Sequence, residues 1–190
     1  MNIESISFDS DRNIIVIDDA FNFSEISGIY AKVISYSYSI YNSSDAEVQD
    51  LSDKRLGCPL NIEDPILMNI FSGERMSFLM ECISQEKYFH WRSYINLGLI
   101  SDAHKIHVDE FKTDEGLTLL YYANRNWNCD WGGETIFYDD SRKNIRFVSP
   151  FIPGRLIIFD SSIPHSAKSQ NFNGPSYRFT LASKFKRVDK

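Results

Sequence analysis

The chain is poor in cysteine: only Cys58, Cys82 and Cys129 occur in 190 residues, an odd number at wide spacings. That excludes a disulfide framework and a thiolate zinc pattern and fits a reducing compartment. Long apolar runs are missing too, none approaching the roughly 18 residues of a membrane span. The first twenty residues carry Glu4, Asp9, Asp11, Asp18 and Asp19 but neither a basic n-region nor an apolar h-region. A soluble cytoplasmic protein without a membrane partner is expected. Basic charge is also short: 20 Lys and Arg against 26 Asp and Glu leave a net charge of -6. Such a surface repels a phosphate backbone, which disfavours general nucleic-acid binding. The basic cluster Lys184, Lys186, Arg187 and Lys190 reads as a solvated strand end or tail. The absence of any period of about 20–50 residues, and of low-complexity tracts, excludes repeat architectures.

What is present is core material: 14 Phe, 10 Tyr and 3 Trp, with 43% apolar residues overall. This is far too apolar for a disordered chain and suits one domain, expected over residues 1–190. Its character changes once. Residues 1–86 read as a helical support region: a β-branched strand Ile14–Ile17, then a helix with Phe23, Ile26, Tyr30, Val33 and Ser37 at helical spacing. A second helix starts at Asp64-Pro65, an N-cap with proline at the first helical position, and shows Leu67, Phe71, Phe78 and Cys82 on one face, weakened by Gly73. Between them, Asn42–Asn61 is polar and aperiodic, a loop by composition.

Residues 88–186 read as strands: Tyr88–Leu97, Lys105–Asp109, Leu117–Ala123, Thr135–Tyr138, Ile145–Val148, Arg155–Phe159, Ser166–Ser169 and Tyr177–Lys186. Turn residues separate them, among them Gly116, Gly132-Gly133, Pro153-Gly154 and Asn173-Gly174-Pro175. So many short strands indicate a sandwich or jelly roll, with the helices on one outer face in an α+β arrangement.

In Ile106-His107-Val108-Asp109 an imidazole and a carboxylate stand two apart, so on a strand both project to one side. His165 follows 56 residues after Asp109, just beyond an apolar strand that a sandwich can return to the first pair. Two imidazoles and one carboxylate leave three adjacent coordination positions open, the facial triad of non-haem iron(II) oxygenases, whereas a structural zinc site is closed by four protein ligands. Thirteen residues beyond His165 comes Arg178, with Thr180 at the next same-face position. A guanidinium fork and a neighbouring hydroxyl suit the distal carboxylate of a dicarboxylic 2-oxo acid.

Together, His107-x-Asp109, Leu117-Thr118-Leu119-Leu120-Tyr121-Tyr122-Ala123-Asn124, Trp127, Trp131-Gly132-Gly133-Glu134-Thr135, Pro153-Gly154-Arg155-Leu156-Ile157-Ile158-Phe159, His165 and Arg178-x-Thr180 resemble the Fe(II)- and 2-oxoglutarate-dependent oxygenases of the prolyl-4-hydroxylase branch. Order and spacing match over about residues 88–186, and Tyr-Tyr-x-Asn followed by Gly-Gly is especially similar to the hypoxia-sensing prolyl hydroxylases. The resemblance implies a double-stranded β-helix core. It implies His107, Asp109 and His165 as iron ligands and Arg178 as partner of the 2-oxoglutarate C5 carboxylate, with Thr180 assisting and Tyr122 donating a hydroxyl. Tyr121, on the opposite face, is then core, and Tyr94 or Asn96 supplies a further co-substrate contact. Cofactors so implied are Fe(II), 2-oxoglutarate and dioxygen, with ascorbate as a candidate reductant.

Two positions depart from the pattern: Arg178 stands where many members have lysine, and His104 stands where an aromatic is more usual. On an alternating strand His104 faces away from the triad. The carboxylate ligand speaks against a halogenase, and the spacing of His104 and His107 against a cupin-type metal enzyme, while a non-catalytic jelly-roll binding module keeps the same shape. The implied reaction is hydroxylation of an unactivated C–H bond, with succinate and CO2 as co-products. Its substrate is a protein or peptide residue, prolyl first, or a free amino acid or small metabolite, with selectivity expected from Cys129–Trp131 and Asn42–Asn61. Glu110, Asp114 and Glu115 read as solvated loop residues, and Cys129 as incidental. Oligomeric state stays open at this level.

Overall fold

The computed structural model describes residues 1–40, 56–70, 88–100, 102, 104–109 and 116–187. Among these, the chain is mostly antiparallel β-structure with few helices. Its strands are β1 (Asn2–Ser7), β2 (Asn13–Asp18), β3 (Ser39–Ile40), β4 (Leu56–Leu60), β5 (Tyr88–Leu99), β6 (Gly116–Tyr122), β7 (Thr135–Tyr138), β8 (Ile145–Ser149), β9 (Leu156–Asp160), β10 (His165–Ala167) and β11 (Tyr177–Arg187). The larger sheet runs β1-β2-β9-β6-β11-β5-β4-β3 and the smaller one β10-β7-β8.

Side-chain parity sorts the larger sheet into two faces. Ile17, Leu119, Tyr121, Leu156, Ile158, Phe179 and Leu181 join one apolar cluster, while Ile14, Val16, Tyr122, Ile157 and Phe159 join a second on the other side, with Phe137 of the smaller sheet. Strand β9 is buried on both faces and reads as a continuous apolar run rather than an alternation. On β11 the parity has a different use: Phe179, Leu181 and Phe185 enter the first cluster, and Arg178, Thr180, Ala182 and Lys184 face a cavity on the opposite side.

Helix α1 (Phe23–Val33) starts at a capping box: Asn22 Oδ1 accepts the Glu25 N–H at 3.0 Å, and Glu25 Oε2 accepts the Asn22 N–H at 2.8 Å. Ile29 and Val33 enter the first cluster, but Phe23 is exposed, and the helix stops before Ser37, so the expected apolar face is shorter at both ends. Helix α2 (Pro65–Ile70) follows Asp64, whose Oδ1 accepts the Ile66 N–H at 2.9 Å, and it adds Ile66, Leu67 and Ile70 to the same cluster. Phe71, Gly73, Phe78 and Cys82 lie outside the described residues. No described helix is long and apolar enough to cross a membrane.

Several segments differ from the expectation, among them the short β3, for which no strand was expected. β1 is exposed almost throughout and has no apolar alternation, so only its pairing with β2 defines it. β4 lies inside the segment read as a loop, where Gly57 and Pro59 hide its character; it pairs with β5. Residues 105–109 form no strand: His107 makes a single antiparallel bridge to His165, with N–H to carbonyl distances of 3.0 and 2.9 Å.

Candidate metal and co-substrate site

The His107–His165 bridge unites the candidate ligands. It lays residue 107 beside β10, so two imidazoles far apart in sequence come to a ring-centroid separation of 4.5 Å. The Asp109 N–H binds the Ser161 carbonyl at 2.9 Å, which turns the carboxylate inward. One ligand atom from each of His107, Asp109 and His165 lies within 4.8 Å of the others, and all three residues are buried.

Hydrogen bonding assigns the tautomers. His107 Nδ1 lies 3.0 Å from the Lys105 carbonyl and His165 Nδ1 2.9 Å from the Ile163 carbonyl. A carbonyl only accepts, so each Nδ1 carries the proton and each Nε2 offers a lone pair. The Nε2 atoms stand 3.8 and 3.6 Å from the two Asp109 oxygens. Two imidazoles and a carboxylate, held from behind and converging, suit a divalent cation with open coordination positions.

Burial alone would raise the Asp109 carboxyl, but Lys184 foremost, then His165 and His107, hold it well below the usual carboxylate range. Lys184 is the residue that sequence reasoning missed. Read as part of a solvated tail, it is 2% exposed, its ammonium ion-paired with Asp109 Oδ2 and 3.1 Å from Thr118 Oγ1. The signal was available, because Lys184 shares strand parity with Arg178 and Thr180. Thr118 donates to the same Asp109 oxygen at 2.7 Å and lies 3.0 Å from Ser161 Oγ.

Arg178 occupies another part of the cavity. Its Nε–H donates to the Gly133 carbonyl at 2.8 Å, while Nη2 is buried and has no hydrogen-bond partner among the described residues. Burial pushes the guanidinium down to about 10, with Tyr122 and Glu134 pulling the other way. An orphaned buried cationic donor is costly unless something anionic completes it, which fits the distal carboxylate of 2-oxoglutarate. Thr180, Tyr94 and Asn96 line the same cavity, so the choice between the last two stays open.

Tyr122 stands one layer back. Its hydroxyl donates to Thr135 Oγ1 at 2.8 Å, its ring stacks on Phe151 at 4.4 Å, and Thr135 is the one that lines the cavity. His104 corrects its expected orientation: it also lines the cavity, because residues 104–106 are irregular and strand alternation does not apply. It is not among the three convergent ligands. Trp127 packs against Phe151 and donates to the Gly132 carbonyl at 2.8 Å, in keeping with a packing role.

Comparison with known proteins agrees with this geometry. Residues 93–185 match the family described as the 2OG-Fe(II) oxygenase superfamily. Among solved structures, an oxidoreductase of the 2OG-Fe(II) oxygenase family from Burkholderia pseudomallei is 17% identical with a TM-score of 0.66, covering 93% of this chain and 86% of its own. A prolyl-4-hydroxylase from Pseudomonas putida is 15% identical with a TM-score of 0.65, covering 95% of each chain. A Trichoplax adhaerens prolyl hydroxylase, solved with a hypoxia inducible factor peptide fragment, is 17% identical with a TM-score of 0.64, covering 91% of this chain and 83% of its own. No curated protein matches the sequence significantly. The segment 93–185 belongs to the 2OG-Fe(II) oxygenase superfamily, and the protein is an oxygenase that uses iron(II), 2-oxoglutarate and dioxygen.

Proposed function

We propose that the chain is one oxygenase domain that hydroxylates an unactivated C–H bond, with His107, Asp109 and His165 as iron ligands and Arg178 and Thr180 as the seat of the 2-oxoglutarate C5 carboxylate. The observation that carries this reading is the pairing, in one cavity, of the convergent ligand set with the unpartnered Arg178 Nη2. Iron(II) bound there supplies the centre at which one oxygen atom of O2 enters the substrate and the other enters succinate, as 2-oxoglutarate loses CO2.

The protein's own groups do the holding. The Lys105 and Ile163 carbonyls accept from both Nδ1 atoms, so that Nε2 is the ring nitrogen aimed at the cation, and the Gly133 carbonyl orients the guanidinium with Nη2 left for an anion. Tyr122 acts through Thr135, orienting that hydroxyl at the cavity wall. Tyr94, 3% exposed, adds an aromatic wall to the co-substrate pocket. A prolyl residue in a peptide or protein is the first substrate to try, supported by the likeness to prolyl hydroxylases from two organisms; free amino acids and small metabolites come next.

The test is mass spectrometry of a peptide and metabolite pool incubated with protein, Fe(II), 2-oxoglutarate and ascorbate. A product heavier by one oxygen, formed with equimolar succinate and absent in His107→Ala, supports the reading. Binding of 2-oxoglutarate with no turnover across the pool favours the non-catalytic module.

A further inference from the structure

Lys184 is neither a proposed metal ligand nor a proposed co-substrate contact, yet its ammonium is paired with one of the three ligands. Two donors converge on one atom: Lys184 and Thr118 both bind Asp109 Oδ2. Thr118 alone would orient the carboxylate, and it is neutral. Lys184 adds a full positive charge to a cavity whose other cation, Arg178, is on the same face of the same strand, six residues away. Six residues of strand span roughly 20 Å, so the two cations serve separate places.

We propose that Lys184 is a positioning residue that trades metal affinity for co-substrate affinity. The inference rests on the proposed metal and 2-oxoglutarate site. A divalent cation and the Lys184 ammonium compete for the same carboxylate, so Lys184 stabilises the metal-free ligand set more than the loaded one and weakens the hold on the cation. Once the cation is bound, Lys184 leaves the centre one charge more positive than the three ligands alone would make it. A dianionic keto acid entering that centre is then drawn in more strongly.

A purely structural ion pair makes a different forecast. Removing one partner of a buried pair loosens the site, and a loosened site binds both metal and co-substrate less well. The electrostatic role moves the two affinities in opposite directions, which scaffold damage does not.

The experiment is anaerobic calorimetry on the wild-type chain, K184M and K184R, with circular dichroism to confirm the fold. Mn(II) alone is titrated first, and 2-oxoglutarate is then titrated into the Mn(II)-saturated protein. K184M is expected to bind Mn(II) about tenfold more tightly and 2-oxoglutarate about tenfold more weakly, magnitudes typical of groups behind metal ligands. K184R keeps the charge and should return both constants to within about threefold of wild type. If K184M does not fold, K184Q is carried through the same two titrations. Any pattern other than opposed shifts, including parallel weakening or no change, overturns the proposal. Failure of the wild type to bind Mn(II) or 2-oxoglutarate overturns the underlying metal and co-substrate site instead.

Discussion

Arg178 is tied to Gly133 by one hydrogen bond, Nε–H to carbonyl at 2.8 Å, at a glycine whose φ is +86°. A Cβ at this glycine would stand 2.7 Å from Trp127 Cζ2 and 3.3 Å from Arg178 Nε. Backbone conformation and space therefore both demand glycine, and the guanidinium depends on it.

Gly133→Ala should cost about 1–3 kcal/mol in stability from backbone strain, with crowding of Trp127 added. Because the crowding also reaches Arg178, the affinity for 2-oxoglutarate should fall with it. Urea unfolding and co-substrate calorimetry on one preparation check both.

Arg178→Ala should leave divalent-metal affinity largely intact and weaken 2-oxoglutarate by about 2–5 kcal/mol, the cost of truncating one member of a buried charge pair. Arg178→Lys should recover only part, since a point charge does not reproduce the fork. Unchanged co-substrate affinity in Arg178→Ala would mean that another cation holds the carboxylate.

Tyr122→Phe separates two roles for one hydroxyl. With its O–H on Thr135, the substitution should lower stability by about 1 kcal/mol, the usual net value of such a bond. A rise of about tenfold or more in the 2-oxoglutarate dissociation constant would show a direct contact, at a cost of about 1.4 kcal/mol.

Part of the site was legible because it depends on strand parity. Arg178 and Thr180, two apart on β11, are expected on a shared face and do line one cavity; His107 and Asp109 line it as well, but the 107–165 bridge and the Asp109–Ser161 bond bring them there rather than strand alternation. The same rule put Tyr121 in the core, where it is fully buried. Lys184 obeys that parity too, but its setting among Lys186 and Arg187 made it look solvated. Charge clustering in sequence says nothing about alternation in space. His104 failed for the converse reason: parity was applied where only the 107–165 bridge is regular. Strands β1 and β4 are specified by their neighbours rather than by their own pattern, so no single-segment reading finds them. The lower end of the second helix and most of Asn42–Asn61 lie outside the described residues.

Acid stability offers a check on a pair that does not itself line the cavity. Arg12 grips Asp9 through two guanidinium bonds, at 2.8 Å from Nε and 2.5 Å from Nη2, and lowers the Asp9 carboxyl to about 2. Because the folded value is depressed, this contribution is present above the ordinary value of 3.8 and is lost as pH falls through about 2. Asp9→Asn should therefore lower stability at neutral pH, by about 1 kcal/mol or less since Asp9 is largely solvated, and the difference from wild type should vanish below about pH 2. Urea midpoints across that range measure it.

The most direct test of the central claim is optical. Apoprotein titrated anaerobically with ferrous salt and then with 2-oxoglutarate should develop the charge-transfer absorbance of a keto acid chelating iron, and the His107→Ala and Asp109→Ala proteins should not. No such absorbance in the wild type, or equal absorbance in the variants, would contradict a metal held by His107, Asp109 and His165.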